Sequence, residues 1–335
     1  MKNIIRIFGV ALLLFSCTSD YEQEIKTESN VEEVQQLSNQ ERYLDEIFEV
    51  KISENIKFGE AAKPKPLRPN NTQELFMDIY EPAGDDLEAR PLIIWAFGGA
   101  FVFGNKQSSD IVTLSNSFAK RGYVNASIDY RLSRDLAVNY EDVNAYEAVL
   151  RATHDMRAAI RYFYKDAETI NKYKIDTTRI YIAGVSAGAL AALNLVHFDE
   201  LNEVPEEFET IFNEMGGFAG NSGNAGYSDN VAGVISLCGA LLDADWINPA
   251  VTTPIVSMHG TEDNVVPYGT DTITLLDINL EVDGSATIHQ KLDEFNIVNE
   301  FYTFEGAGHT PFVRDEAYMD TTIVFVQDFL YDLVK

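Results

Sequence analysis

The sequence predicts an α/β protein with a doubly wound, mostly parallel sheet and helices on both faces. Short continuous apolar runs recur along the chain, as in strands that are buried on both faces. Between two of these runs, apolar residues recur at steps of three and four, the spacing of one helical face. Strands that alternate with helices in this way form a parallel sheet covered by helices. No internal repeat is visible, so we expect a single domain of this kind.

The predicted elements follow one another from residue 50. Two strand-like segments, 50–58 and 75–80, flank a Pro-rich stretch over 63–69 that suits the loop joining them. The other predicted elements are strands over 92–97, 123–130, 179–185, 231–238, 254–258 and 300–304, and helices over 149–163 and 285–295. A stretch rich in Gly, Asn and Ser over 216–230 predicts a long loop near the rim of the sheet.

Length and composition exclude several classes of protein. With 335 residues, of which 46% are hydrophobic, the chain can bury a substantial core, so wholesale disorder is excluded. The formal net charge of -28 would repel a polyanion, which excludes nucleic acid as a partner. Two cysteines, Cys17 and Cys238, cannot make a disulfide framework. No cluster of His, Cys and acidic residues has the spacing of metal ligands, so we expect no metal and no cofactor.

The N-terminus predicts export and a lipid anchor. A cationic start precedes an apolar run over 7–15, which is long enough for a secretory signal but too short for a membrane span. Residues 14–17, Leu-Phe-Ser-Cys, resemble the lipobox of bacterial lipoproteins, in which the peptide is cut before a Cys that then carries lipid. We therefore expect a signal peptide over 1–16 and lipid on Cys17. The alternative is an ordinary signal peptide with a Cys near its cleavage site.

A polar, acidic stretch over 17–45 has no sustained period, and we interpret it as a tether. Acidic residues soon after Cys17 resemble the surface-export signal of lipoproteins in Bacteroidetes-type bacteria. This resemblance implies a place in the bacterial cell envelope, at the outer membrane or cell surface, with the membrane as a partner through the lipid. The predicted catalytic domain covers residues 46–335.

Ser186 is the predicted nucleophile. The sequence Gly184-Val185-Ser186-Ala187-Gly188 follows an apolar strand and opens an Ala-rich helix. In such a strand–turn–helix elbow, small flanking residues allow a strained turn that exposes the serine hydroxyl at the carboxyl edge of the sheet. The structural alternative is a tight crossing between a helix and a strand.

Because a serine hydroxyl needs a base to remove its proton, a histidine must follow Ser186. Of the five histidines, His259, His289 and His309 lie beyond it. His309 stands in a Gly-flanked loop after a predicted strand, from which it can reach the nucleophile. His259 ends an apolar strand and suits a rim residue that hydrogen-bonds locally. His289 falls on a helix, where we expect it to be solvated.

Asp263 is the predicted partner of His309. It follows an apolar strand, and the fold orders the three groups as Ser, acid, His along the chain. Its neighbour Glu262 should point another way. Asp243 and Asp245, after the preceding strand, are the next alternatives. For each of these acids, the structural alternative is a solvated surface group.

Backbone N–H groups are needed about 3 Å from the oxyanion of a tetrahedral intermediate. The loop over 97–101, Phe-Gly-Gly-Ala-Phe, follows a predicted strand, and its small residues let the backbone approach a substrate. Ala187, next to Ser186, provides the other donor. The structural alternative for the Gly-Gly pair is a flexible turn.

Five motifs together resemble the α/β-hydrolase superfamily, in particular its carboxylesterase-type esterases and lipases. The motifs are Gly98-Gly99-Ala100-Phe101, Ile128-Asp129-Tyr130-Arg131-Leu132, Gly184-x-Ser186-x-Gly188, His259-Gly260-Thr261-x-Asp263-x-x-Val266-Pro267 and Gly308-His309. The resemblance covers residues 74–335. It implies that Ser186 is the nucleophile, His309 the general base and Asp263 its orienting acid. It also implies oxyanion donors at Gly99, Ala100 and Ala187.

One departure from the family pattern concerns the oxyanion loop. Many relatives have His-Gly-Gly-Gly where this chain has Phe97-Gly98-Gly99-Ala100, so the His that braces the loop is absent. The backbone donors survive this change, but other residues must support the loop.

An apolar acyl or aryl pocket has three candidate residues, Phe97, Phe101 and Phe103. The alternative for each of them is a place in the core.

The sequence therefore predicts a lipid-anchored serine carboxylesterase that acts on a small-molecule or glycan-linked ester. A cell-surface location suits the removal of acetyl or feruloyl groups from plant glycans. Two alternatives belong to other classes. One is a serine peptidase of related fold, which usually carries a large extra domain. The other is a surface binding lipoprotein without catalysis, against which the intact order of Ser, Asp and His argues.

Overall fold

A computed structural model of the chain describes residues 41–63, 71–133, 142–273 and 280–335. The predicted signal peptide, Cys17 and the tether as far as residue 40 lie outside the described residues.

A compact unit extends over Arg42–Lys335. Its strands are β1 (Val50–Ala62), β2 (Thr72–Pro82), β3 (Arg90–Ala96), β4 (Val124–Ile128), β5 (Ile175–Val185), β6 (Gly233–Leu237), β7 (Ala240–Leu241), β8 (Ile255–Gly260), β9 (Thr270–Ile273), β10 (Leu280–Gly284) and β11 (Asn299–Phe304). Its α-helices are α1 (Ser109–Lys120), α2 (Asp142–Thr169), α3 (Ala187–His197), α4 (Glu209–Glu214), α5 (Ser285–Glu294) and α6 (Glu316–Val334).

Eight of these strands form the main sheet, in the order β1-β2-β4-β3-β5-β6-β8-β11. β1 pairs antiparallel with β2, and β2 pairs antiparallel with β4. From β4 onward, every pair of neighbours is parallel. The predicted α/β class and mostly parallel sheet are confirmed, and the two segments that flank the Pro-rich stretch form the antiparallel edge.

The central strands are buried on both faces, as their continuous apolar sequences predict. Every residue of β3, β4, β6 and β8 is buried, and these strands contribute to one large apolar core. The helices pack on the sheet in two groups, α1 with α6 and α2 with α3. A strand with no exposed residue needs cover on both sides, which these two groups of helices supply.

The helical face predicted over 149–163 lies within α2. All six of its apolar residues are buried, namely Val149, Ala152, Met156, Ala159, Ile160 and Phe163. Full burial of a large apolar side chain contributes about 1.5–3 kcal/mol. Packing of this face therefore stabilises the helix more than its intrinsic propensity does.

Some elements were not among those predicted. α1 buries Ile111, Leu114 and Phe118 on one face, a spacing of three and four that the sequence does show. The small antiparallel sheet β7-β10-β9 is also additional. The stretch over 216–230 is irregular as predicted, apart from one 3-10 turn at Gly217–Ala219. None of the described helices is long and apolar enough to cross a membrane.

Candidate active site

Three parallel strands bring the predicted triad to one edge of the sheet. Ser186 follows β5 directly, Asp263 lies three residues after β8, and His309 lies five residues after β11. Because the carboxyl ends of parallel strands meet at the same edge, the three loops converge there. The distances between the side chains show how closely they meet.

Ser186 occupies a strained turn between β5 and α3. Its φ is 53°, a left-handed conformation that costs a residue with a Cβ about 1–2 kcal/mol. The flanking glycines are required by close approach. A Cβ on Gly184 would lie 2.1 Å from the carbonyl carbon of Gly188, and a Cβ on Gly188 would lie 2.2 Å from the carbonyl oxygen of Ala96. The elbow predicted from the Gly-x-Ser-x-Gly pattern is therefore present, and its small residues are there for steric reasons.

His309 connects the serine to the acid. Its Nε2 lies 2.9 Å from Ser186 Oγ, and its Nδ1 lies 2.6 Å from Asp263 Oδ2. The imidazole can therefore accept the serine proton at Nε2 while the Nδ1–H donates to the carboxylate. Ser186 is 7% exposed, and the His309 side chain is 19% exposed, so a substrate can reach both.

The Asp263 carboxylate is held by four donors. Oδ1 accepts the backbone N–H groups of Val265 and Val266, at 2.8 and 2.9 Å. Oδ2 accepts from His309, and it also lies 3.2 Å from Nε2 of His259. Burial by itself would raise the pKa of Asp263, but the hydrogen bonds from His259 and His309 outweigh it and hold that pKa well below its usual range. Asp263 therefore stays ionised at every ordinary assay pH.

The alternative acids lie elsewhere. Glu262 is exposed, as predicted for the neighbour that points another way. Asp243 accepts the backbone N–H of Asp245 at the start of a 3-10 turn. Asp245 forms an ion pair with Lys291 at 2.7 Å. Of the four acids considered from the sequence, only Asp263 contacts His309 in the described structure.

The prediction for His289 is wrong, since this residue is buried rather than solvated. It is 4% exposed, stacks on Phe301 with ring centroids 4.7 Å apart, and its Nδ1 lies 2.6 Å from Asn299 Oδ1. Burial lowers the pKa of His289 to about 4. The residue faces β11 because α5 packs against that strand, a tertiary contact that helical spacing alone does not show.

His259 hydrogen-bonds locally as predicted, but it is fully buried rather than a rim residue. Its Nδ1 lies 2.9 Å from Ser285 Oγ, and its Nε2 lies 3.0 Å from the carbonyl oxygen of Val266. Its contact with Asp263, four residues later in the chain, is not among the predictions from the sequence.

The loops that carry the acid and the base are joined to each other. Gly260 allows this, since a Cβ there would lie 2.3 Å from the carbonyl oxygen of Ala307. The backbone N–H of Glu262 donates to that oxygen at 2.9 Å. The backbone N–H of Gly306 donates to the hydroxyl of Thr261 at 2.8 Å. Asp263 and His309 are thereby held in register by backbone contacts as well as by their own hydrogen bond.

The predicted oxyanion residues surround Ser186. A Cβ on Gly98 would lie 3.3 Å from the Cβ of Ser186, so the loop after β3 passes directly beside the nucleophile. Gly99 and Ala100 have φ values of 130° and 52°, which turn the loop sharply at this point. Ala187 is the first residue of α3, and the first N–H groups of a helix have no acceptor inside it. Gly99, Ala100 and Ala187 thus line the spaces beside Ser186, and their role as oxyanion donors stays a prediction.

Tyr130 supplies the support that the absent histidine would give to the oxyanion loop. Its hydroxyl donates to the carbonyl oxygen of Phe97 at 2.9 Å, and its ring stacks on that of Phe97 at 4.2 Å. Further along the loop, the carbonyl oxygen of Phe101 accepts the backbone N–H of Ser133 at 2.7 Å. The sequence shows Tyr130 as part of a motif but not the partner of its hydroxyl.

Two spaces open beside Ser186. One is an apolar pocket of about 60 Å³, lined by Ala100, Phe101, Ala145, Val149, Ser186, Ala187, Leu190, Val265, Val266, Ile273 and Leu280. The other is a cleft of about 590 Å³, lined by Gly98, Gly99, Ala100, Phe103, Ser108, Ser109, Asp110, Val185, Ser186, Val265, His309, Thr310 and Val313. The nucleophile stands between a small apolar space and a larger, more polar one.

The three phenylalanines considered for a substrate pocket have different positions. Phe97 is 1% exposed and belongs to the core. Phe101 lines the apolar pocket. Phe103 is 62% exposed and lines the cleft. The alternative of a core residue therefore holds for Phe97 and also for Phe101, which is 7% exposed and belongs to the same core, but not for Phe103.

One group of possible metal ligands occurs within the described residues. Donor atoms of Cys238, His259 and Asp263 lie within 4.8 Å of one another. Burial, and then the nearby Asp263 carboxylate, raises the pKa of the Cys238 thiol to about 12, so the thiolate that binds metals is disfavoured. The oxygens of Asp263 already accept three hydrogen bonds, and Oδ2 also lies 3.2 Å from Nε2 of His259. These donors suit a hydrogen-bonded support for the triad better than a metal site.

Comparison with known proteins agrees with this fold. A family model described as BD-FAE matches residues 77–239. The chain superposes on Thermogutta terrifontis esterase 2 phosphoramylated by tabun with a TM-score of 0.57 and 21% identity, covering 88% of this chain and 98% of that one. The propionate-bound form gives a TM-score of 0.56 and 22% identity, covering 85% and 94%. The chain has the α/β-hydrolase fold.

Two curated relatives are Lipase 1 and Lipase 2 of Geotrichum candidum. Each is 27% identical over 128 residues, which are 36% of this chain. The matched segment spans 22% of the length of each lipase. The named relatives are therefore two lipases and an esterase.

Proposed function

We propose that the protein is a serine carboxylesterase with Ser186 as nucleophile, His309 as general base and Asp263 as the orienting acid. The observation that carries the proposal is the continuous contact from Ser186 Oγ through His309 to Asp263, at 2.9 and 2.6 Å. It lies at the sheet edge where this fold places ligands.

The reaction uses these groups in two halves. Ser186 Oγ attacks the ester carbonyl carbon while His309 Nε2 takes its proton, and the N–H groups of Gly99, Ala100 and Ala187 stabilise the oxyanion. The protonated His309 then donates to the leaving alkoxide, which departs as the alcohol and leaves an acyl-enzyme. Water, deprotonated by His309, hydrolyses this intermediate and releases the acid.

The two spaces beside Ser186 receive different parts of the ester. His309 must reach the leaving oxygen, and it lines the large cleft but not the apolar pocket. The alcohol therefore occupies the cleft and the acyl group the pocket. A cavity needs about 10–15 Å³ to hold one water-sized group. The apolar pocket, with a volume of about 60 Å³, therefore has room for only a few such groups and accepts a short acyl chain such as acetyl.

The residues that line the cleft favour an ester of a polyhydroxylated alcohol, such as an acetylated glycan, as the substrate. Ser108, Ser109 and Asp110 line the cleft, together with Phe103, whose ring is exposed. Burial raises the pKa of Asp110, so this carboxylate gains from hydroxyl donors on a bound ligand. Acetyl is favoured over feruloyl because the apolar pocket has no room for an aromatic acyl group.

Labelling and mutation test the nucleophile. A fluorophosphonate should modify Ser186, and Ser186→Ala should lower ester turnover by about 10⁴-fold or more. Ser115→Ala is a matched control, since this buried serine has a hydroxyl with no partner among the described residues. Labelling of another residue, or full activity of Ser186→Ala, would contradict the assignment.

Substrate profiling separates the alternatives. Aryl esters of increasing acyl length, acetylated xylan, a feruloyl ester and peptide anilides are compared on the purified protein. We expect acetyl esters to be hydrolysed fastest and rates to fall as the acyl chain lengthens. Faster cleavage of the anilides would indicate a peptidase, and neither turnover nor labelling would indicate a binding protein.

We also propose that Cys17 carries lipid and anchors the protein in a bacterial envelope. The support is the sequence alone, an apolar run that stops at Cys17 and an acidic stretch after it. Mass spectrometry of the mature N-terminus should find acylated Cys17, and Cys17→Ala should release the protein from membranes. A mature protein that begins beyond residue 17 would overturn the proposal.

A further inference from the structure

A second histidine contacts the acid of the triad. His259, at the end of β8, is fully buried, and its Nε2 lies 3.2 Å from Asp263 Oδ2. This is the oxygen that His309 Nδ1 contacts at 2.6 Å. The catalytic sequence described above needs only one of these two histidines.

The partners of His259 determine which ring nitrogen carries the proton. Nε2 faces two groups that can only accept, the Val266 carbonyl oxygen at 3.0 Å and the ionised Asp263 carboxylate. The proton therefore lies on Nε2. With the proton on Nε2, Nδ1 accepts the hydroxyl proton of Ser285, at 2.9 Å. Ser285 is the first residue of α5, so the ring is fixed from both sides.

We propose that His259 is a positioning residue, which holds the Asp263 carboxylate in the orientation that His309 requires. The inference rests on the proposed function of the Ser186 triad. Rotation about the last bond of an aspartate is soft, and the two backbone N–H groups of Val265 and Val266 fix only Oδ1. A rigid, buried ring on Oδ2 removes the remaining freedom. A misplacement of about 1 Å in such a constellation can cost about 10²-fold in rate.

The contact also affects the negative charge that the Asp263 carboxylate presents to the rest of the triad. An N–H group beside Oδ2 offsets part of this charge, so its loss leaves more of the charge uncompensated at the site. The other titratable groups near His259 are the Cys238 thiol, whose pKa is raised to about 12, and Tyr268, whose ring lies 5.8 Å away and whose hydroxyl is hydrogen-bonded to Thr303. The acid limb of kcat/KM should therefore move to higher pH when the donor is removed.

Three variants test the proposal on the full chain. His259→Leu removes the donor, and we expect kcat to fall by up to about 10²-fold, the scale of a misplacement of about 1 Å at an active site, with little change in KM. His259→Gln keeps an N–H at the position of Nε2 and should recover most of the rate. His289→Leu, at the other buried histidine of this region, should leave kcat unchanged. All rates are divided by the fraction of sites that a fluorophosphonate labels, so that misfolded protein does not count.

The outcomes are distinct. A lowered labelled fraction with normal kcat per site and an unmoved acid limb would show that His259 only stabilises the fold, and would overturn the inference. If His259→Leu does not fold, Ser285→Ala gives the same readouts, because it frees the ring at Nδ1, and an unchanged pH profile and kcat would again overturn it. Absence of esterase activity and labelling in the unmodified protein would instead overturn the proposed function itself.

Discussion

At the scale of single residues, the site depends on the Asp263 carboxylate and on the groups that contact both of its oxygens. Asp263 accepts two backbone N–H groups and contacts two imidazoles, whereas its neighbour Glu262 is exposed to water. An ionised, buried carboxylate is stable only with such partners. The contacts that stabilise the buried charge of Asp263 also orient its Oδ2 toward His309. The stability of this side chain and its position in the site therefore have the same cause.

Asp263→Asn should therefore abolish most activity while the fold survives. With its oxygen on the N–H groups of Val265 and Val266, the amide would direct an NH₂ group at His309 Nδ1. That contact favours the wrong tautomer, and turnover should fall by about 10⁴-fold. Glu262→Gln removes the same charge from the adjacent exposed position and should change little, because a solvated carboxylate has a weak, screened field. Steady-state kinetics and far-UV circular dichroism measure both effects, and equal losses in the two variants would show that the acid is misplaced.

At the scale of elements, the site is built from turns that need particular glycines. The elbow after β5 packs against β3 through Gly188, whose Cβ position is 2.2 Å from the Ala96 carbonyl oxygen. The loop after β8 packs against the loop after β11 through Gly260 in the same way. These contacts are backbone against backbone, so no side chain can move aside to accommodate a substitution.

Gly188→Ala should displace the elbow and damage both stability and activity. Overpacking of this kind costs about 1–3 kcal/mol or more, and the shift of Ser186 should lower kcat by about 10²-fold. Gly84→Ala is the matched control, since Gly84 has a φ of 76° but no atom within 4 Å of the added Cβ. The control should lose about 1–2 kcal/mol from its backbone conformation alone and keep its kcat. Urea denaturation and kinetics distinguish the two, and a Gly188→Ala protein with normal kcat would contradict the steric argument.

The sequence predicts the elements and the triad because both have local signals. Apolar runs locate β3, β4, β6 and β8, and a Gly-x-Ser-x-Gly turn after a strand locates Ser186. The burial of His289, the second contact of Asp263 with His259 and the brace from Tyr130 to Phe97 were not predicted. Each of these depends on which element packs against which, through long-range contacts, and periodicity does not record such contacts.

At the scale of the whole molecule, the chain buries a large part of its histidine content in neutral form. His154 and His197 are 2% and 0% exposed, and burial lowers the pKa of each to about 4, as it does for His289. Neither ring nitrogen of His197 has a hydrogen-bond partner among the described residues. These side chains therefore couple the stability of the fold to pH at positions outside the triad.

Acid should destabilise the protein between about pH 6.5 and about pH 4 through these residues. An unfolded histidine takes up a proton near pH 6.5, whereas the folded His197 does so only near pH 4. The unfolded state thus binds more protons in this window. The free energy of unfolding therefore falls as pH falls through the window, and above pH 6.5 the contribution of the histidine is complete.

His197→Leu removes the contribution of His197 to this pH dependence without removing a hydrogen bond. Its free energy of unfolding in urea should fall less steeply than that of the unmodified protein, by about 1.4 kcal/mol per pH unit. The difference between the two proteins should be constant between pH 7 and pH 8, and parallel curves down to pH 4 would show that His197 is not buried as described.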